Sequence, residues 1–179
     1  MQNSSYVIKH VYQEILSSGP RVHWDKWVWN RASVPRSKFI FWLAVLNKLK
    51  TRDRLQKQGI IQSNTCPLCY TKEESTSHLF FVCPFSTLCA DRVISCLGLN
   101  MTINSIADFF RRVGKLSRIK QQIMTASISN LIYLIWRTRN EVIWHLRVRS
   151  VDTLMAELKH DIKARIHSIP LKIPRNSGN

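Results

Sequence analysis

The chain has 179 residues, 45 % of them hydrophobic, with only five glycines and six prolines, and it carries 27 Lys and Arg against 11 Asp and Glu for a formal net charge of +16. That length and apolar content suit one compact unit with tails and exclude a disordered or collagen-like chain. Self-repulsion at this charge opposes compaction unless a polyanion is near, so nucleic acid is the expected partner.

A membrane role is not expected. Met1-Gln2-Asn3 opens neither a myristoylation motif nor a signal peptide. The longest apolar stretch, Ile123 to Trp136, is interrupted by Thr125, Ser127, Ser129 and Asn130 and is shorter than the about 20 residues needed to cross a bilayer.

In chain order, Val7, Ile8, Val11, Tyr12, Ile15 and Leu16 recur with helical period between a Ser4 or Ser5 cap and a Gly19-Pro20 stop, which predicts a first amphipathic helix. Trp24, Trp27 and Trp29 follow within six residues and are expected in a short helical turn that anchors the core, with base stacking as the alternative. Ser33 and Pro35 start a second helix whose stripe is Phe39, Ile40, Trp42, Leu43, Leu46 and Leu49. Thr51 caps a short helix from Arg52 to Gln58, and Gly59 supplies its left-handed stop. Arg36, Lys38, Lys48, Lys50, Arg52, Arg54 and Lys57 crowd this helical pair against one acid, Asp53, and form the candidate phosphate-facing surface.

Beyond the cysteine segment, helices are predicted from Phe85 to Leu97 and from Ile106 to Val113. The second runs into a basic stretch, Arg111, Arg112, Lys115, Arg118 and Lys120, with no acidic neighbour expected. From Ser117 the stripe Ile119, Ile123, Ile128, Leu131, Ile132, Ile135, Trp136, Ile143 and Leu146 predicts one long helix acting as the spine. Ser150 caps a last helix to His167, and order is expected to end at Pro170 and Pro174. No period-2 strand and no internal repeat is found. The predicted fold is therefore mainly α, a small helical domain with an embedded zinc-binding module of the Cys-Cys-His-Cys type.

Cys66, Cys69, His78 and Cys83 form the motif Cys-x2-Cys-x8-His-x4-Cys. Zinc takes four soft or borderline ligands in a tetrahedron; a Cys-x2-Cys turn supplies two thiolates, and a helix-like step from His78 to Cys83 supplies the other two ligands on nearly one face. Four protein ligands leave no open position for water, so the one zinc expected is structural and not catalytic. Lys72 to Ser77 reads as a solvated loop, while Leu79, Phe80 and Phe81 bind the module to the helices. With three of five cysteines in this cluster and no secretory signal, thiols in a reducing compartment are expected rather than disulfides. Cys89 and Cys96, seven apart, read as buried thiols on one apolar helix face, and the remaining histidines show no ligand spacing.

These residues stand in a longer ordered string: Trp27-x-Trp29, Pro35-x-x-Lys38-Phe39-x-x-Trp42, Leu49-x-Thr51-x-x-x-Leu55, Cys66-Pro67-Leu68-Cys69, and Glu74-Ser75-x-x-His78-Leu79-Phe80-Phe81-x-Cys83-Pro84. The string resembles the reverse-transcriptase zinc-binding domain of plant LINE-type retrotransposons, and Ile135-Trp136-x-x-Arg139-Asn140 resembles the region that follows it. The resemblance implies a domain over 6–97 with its zinc module at 60–85, a C-terminal helical region over 98–169 and a disordered tail over 170–179. It further implies a segment that, in such elements, lies downstream of endonuclease and polymerase modules and helps hold nucleic acid, here as a stand-alone remnant or a domesticated fragment.

No Tyr-x-Asp-Asp-like carboxylate pair and no acid cluster for two magnesium ions is present, so no enzymatic activity is expected. The leading function is a zinc-binding module that grips RNA or single-stranded DNA in preference to duplex. The alternatives are a zinc-stabilised protein-interaction module, with the long helix around Trp136 and Trp144 facing a partner, or a non-functional element remnant. An intracellular location is expected, with the nucleus favoured over the cytoplasm.

Overall fold

The computed structural model describes residues 22–168. The predicted helix from Tyr6 to Leu16 and the tail over 170–179 lie outside the described residues. Among the described residues seven α-helices run in order: α1 (Asp25–Val28), α2 (Pro35–Val45), α3 (Arg52–Lys57), α4 (Pro84–Cys96), α5 (Ile106–Val113), α6 (Arg118–His145) and α7 (Val151–His167), with a π-helical turn, His78–Val82, between α3 and α4. Among the described residues there is no strand, only an isolated antiparallel bridge between Thr65 and Glu73. No described helix is long and apolar enough to cross a membrane.

The helix ends follow local chemistry. Pro35 and Pro84 occupy first-turn positions, where the missing N–H costs nothing. Ser33, expected to help start α2, lies before the actual cap, Val34, and is buried. Ser105 accepts a hydrogen bond from the Asp108 amide and Ser150 one from the Thr153 amide, each satisfying a donor left open in a first turn. Gly59, at φ +69°, closes α3 in the left-handed region.

The 28-residue α6 is the spine, about 42 Å long. It packs against α2 and α7, with α4, α1, α5 and the π turn filling the remaining flanks. Its buried face carries small and polar residues, among them Thr125, Ala126, Ser127 and Ser129, and α2 answers with Ser37 and Ala44. Small side chains let the two backbones approach closely. Within that contact Ser37 Oγ donates to Asn130 Oδ1 at 2.7 Å, and Asn130 Nδ2 donates to Asp161 on α7 at 3.2 Å. Phe41, Phe109 and Phe110 form the aromatic centre, and Trp27 stacks on Phe110 with centroids 5.2 Å apart.

Two sequence expectations need correction here. The ends of the α6 stripe, Ile119 and Leu146, are exposed; Leu146 lies past the last turn in the left-handed region at φ 50°. Trp24 and Trp27 do pack on the core, but Trp29 is 52 % exposed, with its ring 6.2 Å from that of Trp42.

Candidate metal centre

Cys66, Cys69, His78 and Cys83 converge: one ligand atom from each lies within 4.8 Å of all the others. A tetrahedral ion with bonds of about 2.3 Å holds its sulfurs about 3.8 Å apart, so the donor set fits zinc in both chemistry and spacing. Cys69 Sγ and His78 Nε2 are 3.4 Å apart. Three of the four residues are buried and Cys69 is partly exposed.

The two halves of the site share one local design. Cys66 is followed by Pro67, and its sulfur accepts the amides of Leu68 and Cys69; Cys83 is followed by Pro84, and its sulfur accepts those of Phe85 and Ser86. A proline after each cysteine offers no N–H, which leaves the next two amides to turn toward sulfur. The Cys66 thiol and these amides hold the Cys83 thiol below its usual range, and Cys83 is also the N-cap of α4, where the helix dipole favours a thiolate. The same contact acts the other way on Cys66, whose thiol is pushed up by its hydrogen bond with Cys83 and by burial. Cys66 N donates to Lys72 O at 2.8 Å and Tyr70, at φ 58°, closes the first turn. Thr71 Oγ1 donates to Cys69 Sγ at 3.4 Å, which orients the partly exposed Cys69.

The step from His78 to Cys83 is a π turn. In an α-helix, residues five apart point about 140° away from each other. The wider π turn, closed by Cys83 N donating to His78 O at 2.7 Å, brings them round to one ion. His78 is fixed at its backbone by Ser75 Oγ, which accepts from His78 N at 3.0 Å.

The loop from Lys72 to Ser77 is not solvated throughout. Glu74 is fully buried and Thr76 nearly so. Glu74 accepts from the Arg52 amide at 2.8 Å and from the Arg139 guanidinium on α6 at 2.7 and 3.0 Å, and Arg139 also reaches Lys50 O. Thr76 Oγ1 donates to Asn47 at 2.7 Å. A single carboxylate thus ties the metal loop, the start of α3 and the spine together. Residue spacing alone did not single out this pair; Glu74 and Arg139 stood out only in the family-like string.

The seven candidate phosphate contacts do not form one patch. Arg36 and Lys38 sit on the first turn of α2, whereas Lys48 follows its far end, where the Lys48 amide donates to Leu43 O at 2.8 Å. Arg36 is ion-paired to Asp161 at 2.7 Å and lies over the Tyr133 ring, and its pKa is raised by that carboxylate. Burial and the neighbouring Arg165 push the Lys38 ammonium below its usual value. Lys48, Lys50, Arg52, Arg54 and Lys57 cluster at the other end, beside the metal loop. Of these, Arg52 donates to Ser63 O at 3.1 Å and Arg54 to Asn47 O, so both partly serve the fold; Lys48, Lys50 and Lys57 are exposed. The stretch from Arg111 to Lys120 does have an acidic neighbour, since Asp108 binds both Arg111 and Arg112 at 2.6 and 2.8 Å. Of the pair read as buried thiols, Cys89 is buried but Cys96 is exposed.

No curated protein and no solved structure matches the chain. Residues 6–89, just under half of the chain and a span that includes all four residues of the Cys-His cluster, match the family described as zinc-binding in reverse transcriptase.

Proposed function

We propose that the chain is a non-catalytic module, derived from a LINE-type retrotransposon, in which one zinc ion shapes a surface that grips single-stranded nucleic acid by its phosphates. The observation that carries this reading is the placement of Lys48, Lys50 and Lys57 around α3, the helix whose first amide is bonded to Glu74 of the metal loop. The one acid in this segment, Asp53, is partly occupied by the Thr51 hydroxyl at 2.5 Å. With a closed set of four protein ligands, zinc here has no position for substrate, which supports a structural role. Phosphate contacts of this kind confer affinity with little sequence reading.

The test is a charge reversal of Lys48, Lys50 and Lys57 to Glu, chosen over Arg52 and Arg54 because those two also hold backbone carbonyls. Affinity for a labelled single-stranded oligonucleotide is expected to fall, with a salt slope reduced by about 2 for three lost phosphate contacts. Unchanged affinity in a folded variant overturns the reading.

A protein-interaction role has one observation in its favour. Trp144 and Leu146, at the end of α6, are 76 % and 88 % exposed. Concentration-dependent association that is lost on Trp144→Ser would move the function toward that class.

A further inference from the structure

Between α1 and the first turns of α6 lies a cavity of about 370 Å³ that none of the seven candidate phosphate contacts lines. Lys26, Arg31 and Arg118 stand on its rim, Trp27 and Trp29 form one wall, and Thr125 lies deep among its lining residues. Among the described residues, no carboxylate lines it and none of the three cations forms an ion pair. Asp25, the nearest acid in sequence, accepts from the Lys26 amide. The Thr125 hydroxyl is buried without a hydrogen-bond partner.

The rim is held in place. Asn30 Nδ2 donates to Gln122 O at 2.8 Å, which fixes the α1 end to α6, and Arg165 on α7 donates to Arg31 O at 2.9 Å. Gln121 Nε2 donates to Leu116 O at 2.8 Å, which orders the entry to α6. From this cavity an aromatic ridge runs outward along α2: Trp29 to Trp42 at 6.2 Å and Trp42 to Phe39 at 5.9 Å between centroids, with Trp29 and Phe39 each more than half exposed. Rings left open to water beside unpaired cations match the two needs of a single strand, since phosphates seek the cations and unstacked bases seek ring faces.

We infer that this cleft and ridge form a single-stranded polynucleotide subsite, with Trp29 stacking a base and Arg31 and Arg118 holding its flanking phosphates. The inference rests on the nucleic-acid reading above and adds a second contact region to it, on the α1 side of α2. RNA and DNA single strands share this chemistry.

The experiment uses zinc-loaded full chain with fluorescein-labelled oligo-uridine and oligo-deoxyuridine of equal length, titrated at several salt concentrations. Arg31→Glu with Arg118→Glu is expected to weaken binding at least tenfold and to lower the salt slope by about 1.4. Trp29→Ala is expected to weaken it roughly 5- to 150-fold with the salt slope unchanged, and Trp29→Phe to restore most of the loss. Circular dichroism and zinc content, unchanged in each variant, separate these effects from misfolding. Tighter binding of one homopolymer than the other, with the same variants affecting both, identifies the preferred sugar and supports the subsite.

If the natural chain binds neither oligonucleotide, this inference and the proposed function fall together. If Lys48, Lys50 and Lys57 reversal weakens binding while the cleft variants leave it intact, the proposed function stands and the subsite is overturned. If the cleft variants change only self-association on a sizing column, the ridge is a protein contact and the inference is likewise overturned.

Discussion

Glu74 and Arg139 form an ion pair at 2.7 Å in which the carboxylate is wholly buried and the guanidinium nearly so, joining the metal loop to the spine across 65 residues of sequence. Removing one partner leaves the other charge buried and uncompensated, whereas removing both leaves a polar but neutral site. Arg139→Met is therefore expected to cost about 3–5 kcal/mol in urea unfolding of the zinc-loaded protein, and Glu74→Gln with Arg139→Met to recover much of it. A double variant no more stable than the single one would show that the geometry, not the stranded charge, dominates.

Chelation of the metal is expected to open residues 60–85 first. Sites of this kind contribute roughly 10–16 kcal/mol of apparent metal-binding free energy, comparable with the whole stability of a small domain. Because Cys83 is also the N-cap of α4, Cys83→Ala should lose zinc and also loosen the start of that helix. Hydrogen exchange before and after chelation reads this directly, with Cys96→Ser as the control that keeps its metal. Protection in α4 that survives chelation would argue that packing, not zinc, sets that helix.

How much of this was visible in the sequence depended on the range of each interaction. Pro35, Gly59 and Ser150 act within a turn of their own positions, and the elements they bound fall where the residues predict. The convergence of Cys66, Cys69, His78 and Cys83 was legible because Cys-x2-Cys and the return to His78 and Cys83 are short spacings with few geometric solutions. Glu74 looked solvated because its neighbours Lys72 and Glu73 are polar and its partner is far along the chain. The pairing of Arg36 was hidden for the same reason: Asp161, which neutralises it, arrives from α7. The open cleft beside Trp29 depends on where α6 crosses α1, which no local pattern encodes.

Asp108 gives acid sensitivity a sign. Hydrogen bonds from Arg111 and Arg112, and one from the Asn104 amide, hold its carboxyl at about 2 against an ordinary 3.8. A folded-state pKa below the unfolded value contributes stability that is present above the unfolded pKa and lost as pH falls through the folded one. Asp108→Asn is expected to cost on the order of 1 kcal/mol at pH 7, after allowing for the exposure of Arg111. The difference between the natural chain and the variant should narrow as pH drops from 5 toward 3. Taking that difference at each pH cancels proton competition at the zinc thiolates, and a gap that widens instead would reverse the assignment.

The two thiols of α4 are expected to differ in reactivity although they lie seven residues apart on one helix. Cys89 is fully buried, and burial pushes its pKa up to about 11, so almost no thiolate is present at neutral pH. Cys96, on the last turn, is exposed beside Met155 and Lys159. With zinc in place the other three cysteines are committed as ligands, so a maleimide at neutral pH should add once per chain, at Cys96. Denaturant should then release Cys89, and denaturant with chelator all five. Peptide mapping of the adducts checks the order: early labelling of Cys89 would mean that α4 opens to solvent far more readily than its packing against α6 and α7 allows, while early labelling of Cys69, the partly exposed ligand, would mean that zinc exchanges from the site under native conditions.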